Sequence, residues 1–396
     1  MRMKYSLGLC LLLLAAGAQA DRSFGIGEIT ATQNFRTPAD FVRDAPCLLG
    51  GDRVMLQAGM RHVGSLSLRI CADAGQGIVD LMSSDAGDRS TTLIASAAAA
   101  DLGLRWEPVK EELPAGVLVR RGLALYRLGP LALDVVQVLD DQSPLPASAW
   151  PDQDEQPGPE MLVTSAMTNT QHGCSAWRCI RSKAEFWPEQ LTALAELPVD
   201  QRPRVVMRHS PWSYTRHDIA AIDLKRQELA IDAASGGTAT ADDKDFSGPG
   251  YGFILFGSPI VLNTADEWWF DRRARHLYVV ADANTNAESL GRRLRVSLAD
   301  AKGDAVAALA AAPLGQGKAG VKLRIRGLHI LHGSGNGVRV ERLGGLDIAD
   351  TVVEWPADNG IQVSNVDRVA ITGSTVRGTA SNGILALDIH DLQVSD

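Results

Sequence analysis

Glu354 and Arg377 stand 23 residues apart, Trp355 and Asp358 follow Glu354 closely, and His332 lies 23 residues before Trp355. If the chain repeats with that interval, these side chains sit on adjacent rungs of one outward surface. A carboxylate, a guanidinium, an imidazole and an indole are a usable set for a sugar acid. The guanidinium would neutralise a carboxylate, an acid or base would move a proton, and the indole would stack on a ring. Two reactions fit. Glu354 with Asp358 supplies the carboxylate pair that glycoside hydrolysis needs. His332 with Arg377 supplies a base and a charge-stabilising cation for β-elimination. The plainer reading is a surface ion pair worth under about 1 kcal/mol beside a turn aspartate and an exposed histidine.

Arg208, His209, Trp212, Tyr214, Arg216, His217 and Asp218 form the densest polar and aromatic cluster. Arg208 and Trp212 are candidate substrate-binding residues there, although packing accounts equally well for Trp212 and Tyr214. Trp268, Trp269 and Phe270 read as core, because Leu277 and Val279 flank them. His276 reads as a surface residue. No Ser-His-Asp signature, phosphate-binding glycine loop, dinucleotide fingerprint or zinc-protease motif is present.

The elements that must carry these residues declare themselves at the end of the chain. From residue 321 a period of 23 places Leu323, Leu346, Val369 and Leu392 in one column and Ile325, Ile348, Ile371 and Val394 in a second. Ile330, Val353 and Val376 make a third, and Leu343, Val366 and Ile389 a fourth. Asn-Gly recurs at Asn336, Asn359 and Asn382. Alternating apolar and polar residues, as in Leu323, Ile325 and Val338, Val340, have strand periodicity. Short strands at a fixed interval imply a solenoid with about three strands per coil. β-Branched residues would then stack on themselves at roughly 4.8 Å, which favours a parallel β-helix over leucine-rich repeats. In that register the three asparagines form a ladder of side-chain amides, a structural role. The run from Ala305 to Ala312 is expected to be one short helix.

Nearer the start, Gly51, Asp52, Arg53, Val54, Met55, Leu56, Gln57, Ala58 and Gly59 precede the alternation Leu66, Leu68, Ile70. This opening resembles the secreted right-handed parallel β-helix proteins of the pectin lyase-like class. Val135 to Trp150 resembles that class's strands before the central region. Val205 to Tyr214, with Pro211, Trp212 and Ser213, resembles the segment before an inserted module. Gly250 to Val280 resembles a block of carbohydrate-active members, with Ala265, Asp266, Glu267 and Trp268 where Pro-Gly-Glu-Trp is usual. The resemblance implies an all-β fold: a right-handed parallel β-helix with an inserted β-rich module. It also implies a polysaccharide lyase or glycoside hydrolase that binds an extended polysaccharide or oligosaccharide along the groove. The corresponding division is a leader at 1–20, the β-helix start at 21–140, the insert with connecting loops at 141–320 and the 23-residue coils at 321–396. A non-catalytic β-helix adhesin or glycan-binding surface protein is the alternative; its outer columns would be monotonous, whereas Glu354, Arg377 and Asp388 are varied.

Residues 1–20 carry Arg2 and Lys4, an apolar run from Leu7 to Ala16, and small residues at Ala18 and Ala20. This is a secretory signal, cleaved near Ala20, and the product is secreted or periplasmic. The apolar run is short of the roughly 20 residues of a bilayer span, so no membrane span is expected. Cys47, Cys71, Cys174 and Cys179 then remain. Proximity favours disulfides Cys47 with Cys71 and Cys174 with Cys179, out of three pairings. Zinc at Cys174, Cys179 and His172 lacks the paired knuckles such sites use, and no metal ligand is assigned. The formal charge of −8 falls two units further without Arg2 and Lys4, which excludes a general grip on nucleic acid. It also disfavours a polyanionic substrate, unless arginine rungs or Ca2+ held by Asp358 offset it. The fourth repeat starts at Leu392 and Val394 and the sequence stops at Asp396. A longer natural chain, or a partner covering the open end, is the expectation.

Overall fold

The computed structural model describes residues 22–71, 75–85, 90–110, 121–140, 143–150, 162–167, 179–182, 187–210, 213–232, 252–299, 303–310 and 319–396. The predicted leader and Cys174 fall outside them. The fold is all-β, and its dominant feature is a large curled sheet of parallel strands. Two parallel ladders build it, and a third forms a separate five-stranded parallel sheet beside it in the chain's course. One joins Leu66–Ile70, Val306–Ala310, Val338–Glu341 and the first parts of Ile361–Thr372 and Ile384–Ser395. A second joins Ser23–Ile26, Arg53–Leu56, Gly77–Ser83, Ala319–Arg326, Leu343–Ala349 and the later parts of the same two long strands. A third joins Arg61–Val63, Thr92–Ile94, His329–Leu331, Val352–Glu354 and Thr375–Arg377.

The register is the sequence period made physical. Leu323 pairs with Leu346, Leu346 with Val369 and Val369 with Leu392; Ile325, Ile348, Ile371 and Val394 follow in the same ladder. Ile330, Val353 and Val376 align in the third. Leu323, Leu346, Val369, Ile325 and Ile348 are buried in one continuous core, where each apolar side chain packs on its copy in the next coil. Each full burial is worth about 1.5–3 kcal/mol.

The corners repeat too. Gly327, Asp350 and Gly373 have positive φ, as do His332, Trp355 and Gly378, and Arg342, Asn365 and Asp388. One left-handed residue per corner swings the chain from each ladder to the next. Asp and Asn tolerate that conformation; His332, Arg342 and Trp355 occupy it at a cost. The asparagine ladder is present. Asn382 Nδ2 donates to Asn359 Oδ1 at 2.8 Å, Asn359 Nδ2 to Asn336 Oδ1 at 2.9 Å, and Asn336 Nδ2 to Asp304 Oδ1 at 2.7 Å.

The expected helix at Ala305 to Ala312 is instead the strand Val306–Ala310. Val306, Ala308 and Ala310 are buried in the core, and the strand pairs on both edges. Alanine's helix preference, at most about 0.7 kcal/mol per residue over ordinary residues, does not withstand two ladders of hydrogen bonds.

After Ile94 the parallel ladders break off, and they resume at Val306. The intervening strands pair antiparallel. Trp268–Asp271, His276–Asp282, Leu123–Leu128 and Glu107–Pro108 form one sheet; Ser143–Pro144, Val135–Asp140, Leu294–Leu298 and Ala97–Ala98 form another. Tyr126, Val138, Leu277, Val279, Leu294 and Val296 share a core that draws on both. The remaining sheet has seven strands, six of which close into a ring: Leu162–Met167, Cys179–Ser182, Glu228–Ile231, Ser213–Asp223, Arg204–Ser210, Gly252–Phe256, and back to the first, with Ala149–Trp150 pairing on Gly252–Phe256. Leu191 and Leu194 of the helix Trp187–Glu196 share its core with Val205, Leu229 and Phe253. Val205 and Arg208 lie in the strand Arg204–Ser210 of this ring.

Cys47 and Cys71 form a disulfide with Cα atoms 5.1 Å apart. Cys179 is also disulfide-bonded. No helix among the described residues is long and apolar enough to cross a membrane. Leu387, Leu392 and Val394 in the last strand are exposed.

Candidate functional site

In the third ladder Ile330, Val353 and Val376 alternate with outward neighbours. Glu354 stands in register between Leu331 and Arg377. Its side chain is only 7% exposed and is held from both sides: Nε2 of His329 is 2.8 Å from Oε2, and Nε of Arg377 donates to Oε1. Burial pushes the Glu354 carboxyl up, but the hydrogen bonds from His329 and Arg377 outweigh it and hold it below the usual carboxylate range. Glu354 is thus an anion at neutral pH. Arg377 is exposed and presents the rest of its guanidinium to solvent.

The next residue turns the corner. Trp355 has φ 54°, and its backbone N–H donates to the Arg377 carbonyl at 3.2 Å. The half-buried indole lies over Gly378, where an added Cβ would come within 2.1 Å of Cε3. Only glycine at 378 lets the ring lie there. Pro356 is buried, and Asp358 projects into solvent while its backbone N–H donates to the Gly335 carbonyl at 2.9 Å. The fold therefore brings Glu354 and Arg377 into contact, with Trp355 beside them and Asp358 on the loop that follows.

His332 is placed elsewhere than expected. It is fully buried rather than outward-facing. Nδ1 lies 2.7 Å from Ser96 Oγ, which accepts a hydrogen bond from Arg295 Nε at 3.0 Å, and the Ser297 hydroxyl donates to the His332 carbonyl at 3.0 Å. Burial above all, with help from the positive charges of Arg295 and Arg61, pushes its pKa down to about 3. A neutral imidazole locked behind Ser96 does not face a substrate. It pins the insert, which starts near Ser96 and ends near Ser297, to the corner of the coil; its backbone N–H donates to the Glu354 carbonyl at 3.0 Å. His329, the second partner of Glu354, is not signalled by the period, because it shares a column with Val352 and Thr375 and reaches Glu354 diagonally. The period of 23 contains that signal only if diagonal neighbours are considered. Ser96 and Arg295, far off in sequence, left none.

Arg208 has its backbone in the six-stranded ring, remote in topology from the third ladder; its side chain and Trp212 lie outside the described residues. Asp218 pairs with Arg204 at 2.8 Å, and buried His217 has Nδ1 2.9 Å from the Asp232 carbonyl. Glu267 caps a turn, accepting from the Asn263 and Thr264 N–H groups at 2.9 and 3.0 Å, and Trp269 stacks on Tyr278. Among the described residues no group of three or more His, Cys, Asp or Glu side chains gathers to hold a metal ion, so the Ca2+ considered at Asp358 finds no ready ligand set.

Neither a protein-family model nor a curated protein matches the sequence. Among solved structures the chain is similar in fold to one described as a glycoside hydrolase, with a TM-score of 0.56 and 11% identity over 90% of this chain and 73% of that one. The curled parallel sheet and this likeness fit a β-helix-like fold.

Proposed function

We propose that the protein is an exported, right-handed parallel β-helix enzyme of the pectin lyase-like class that hydrolyses an extended glycan lying across the third ladder. The observation that carries this reading is Glu354: a carboxylate almost withdrawn from water, kept ionised by His329 and Arg377, beside an indole held at a strained left-handed corner. Backbone strain of this kind costs about 1–3 kcal/mol and clusters at functional sites. An ionised, oriented carboxylate suits a nucleophile or base, and Asp358 is the second carboxylate. Trp355 would stack on a sugar ring, and Arg377 would hydrogen-bond its hydroxyls or carboxylate. Arg208 and Trp212 are proposed as further contacts to the glycan. Elimination is less well supported, since the base assigned to it, His332, is buried out of a substrate's reach and its affinity for a proton is lowered by that burial. Export is supported by the leader read at 1–20 and by the Cys47–Cys71 disulfide, with Cys174 as the proposed partner of Cys179.

A second reading has its own support. Both oxygens of Glu354 are already occupied, as in a purely structural ion pair on a glycan-binding surface without catalysis. Incubation with plant, algal and bacterial glycans separates the readings. New reducing ends without absorbance at 235 nm indicate hydrolysis, absorbance at 235 nm indicates elimination, and binding without either indicates the non-catalytic protein. Glu354→Gln should abolish hydrolysis while leaving the fold intact. Unchanged turnover in that variant would refute the site.

A further inference from the structure

A concavity lies in the insert, where the six-stranded ring meets the paired antiparallel sheets. Its volume is ≈ 750 Å³, inside the range of roughly 300–1,000 Å³ typical of small-molecule sites. Arg204, Arg216 and Asp218 of the ring form one wall, and Asp134, Trp268 and Arg272 of the sheets form the other. The indole of Trp268 is half-buried and fixed by its Nε1–H, which donates to the Leu145 carbonyl at 3.1 Å. Arg204 and Asp218 are joined at 2.8 Å, and Arg272 lies 3.6 Å from Asp134. Such pairs set a donor beside an acceptor, the arrangement that adjacent sugar hydroxyls can bridge. Arg202 also lines the cleft, and its Nε is a buried donor with no hydrogen-bond partner. A donor in that condition costs about 1–3 kcal/mol and calls for an acceptor.

The charges decide the ligand's class. The described lining carries four arginines (Arg202, Arg204, Arg216 and Arg272) and four aspartates (Asp134, Asp200, Asp218 and Asp232). This balance offers no excess attraction to phosphate, uronate or ammonium. We propose that the cleft is a second sugar site, taking a neutral oligosaccharide through a Trp268 stack and the arginine and aspartate side chains. The choice of a sugar rests on the carbohydrate-active reading; the site itself is independent of the third ladder. Its role would be to hold one part of a glycan while another part lies on the coils.

Calorimetric titration of the full chain tests this with neutral tetrasaccharides of β-1,4-glucan, β-1,4-xylan, β-1,3-glucan and α-1,4-glucan, and with trigalacturonate as the charged comparator. At least one neutral tetrasaccharide should bind saturably. Arg216→Ala, an exposed position whose fold is checked by circular dichroism, should weaken that binding by about tenfold or more. Glu354→Gln should leave the Arg216-dependent binding intact, whatever it does to turnover, which separates failure of the cleft from failure of the catalytic reading. Absence of neutral binding, preference for trigalacturonate, or binding lost in Glu354→Gln but unchanged in Arg216→Ala would each overturn the proposal.

Discussion

The coils and the insert are both β-structure, yet they store their instructions differently. In the coils every strand lies on the strand one period later, so a contact in space is an interval in sequence: Leu346 meets Val369, and Asn359 meets Asn382. In the insert, closure of the ring brings Arg204–Ser210 against Gly252–Phe256, a pairing with no fixed interval. The parallel region is quasi-one-dimensional, and its stability should be close to a sum of coil and interface terms. Between the two stands the junction of Ser96, Arg295 and His332.

The largest expected effect tests how far damage in the coils spreads. Ile348 is 1% exposed and stacked between Ile325 and Ile371. Ile348→Asp buries an unpaired charge, with a loss of several kcal/mol. Hydrogen exchange should show the coils around it opening while the ring keeps its protected amides. If the ring opens with them, the two regions form one cooperative unit and the contrast drawn above fails.

This contrast also explains what the sequence discloses. The apolar columns and the asparagine ladder were readable because parallel stacking turns periodicity into packing. The strand Val306–Ala310 was not, because its alanines carry no strand preference and the next coil supplies the reason they are extended. Nor does composition mark the departure after Ile94. At the candidate site, the Glu354–Arg377 contact follows from the interval of 23. The burial of His332 does not, since Ser96 and Arg295 reach it from the opposite ends of the insert.

Acid should act through that junction. His332 has a folded pKa of about 3, against about 6.5 for a free histidine. Between those values the unfolded chain binds a proton that the native state refuses, so stability falls as pH drops through this window, by at most about 1.4 kcal/mol per pH unit. Above the upper value His332 contributes no pH dependence. Glu354 acts in the same direction lower down: its depressed pKa gives stability that is present above the unfolded carboxylate value and lost as pH falls through the folded one. Urea midpoints from pH 7 to 4 should decline, and His332→Gln should flatten the upper part of that slope. An equal slope in the variant would move the acid sensitivity away from the junction.

Asn359→Ala probes the ladder on a smaller scale. The amide is buried, donates to Asn336 and accepts from Asn382. Its loss leaves neighbouring amides unpaired, at about 1–3 kcal/mol, detected as a shift of the chemical unfolding midpoint. No comparable change is expected in the exchange protection of the ring.

The smallest effect comes from comparing two ion pairs with the same interval. Arg368 and Asp391 are 23 residues apart, as are Glu354 and Arg377, and both pairs join successive coils. Arg368 and Asp391 are 3.5 Å apart with both side chains exposed, so solvent screens the pair and Arg368→Ala should change stability by no more than about 0.5 kcal/mol. Arg377 is just as open to water, but the carboxylate it neutralises is not. Arg377→Ala leaves Glu354 with His329 as its remaining side-chain partner, and desolvation then weighs more heavily on the anion. That variant should be destabilised by about 1–2 kcal/mol, with the Glu354 carboxyl titrating higher by carbon-detected NMR. Equal effects at Arg368 and Arg377 would show that Glu354 lies in ordinary surface electrostatics, and would remove the physical basis for placing chemistry at that rung.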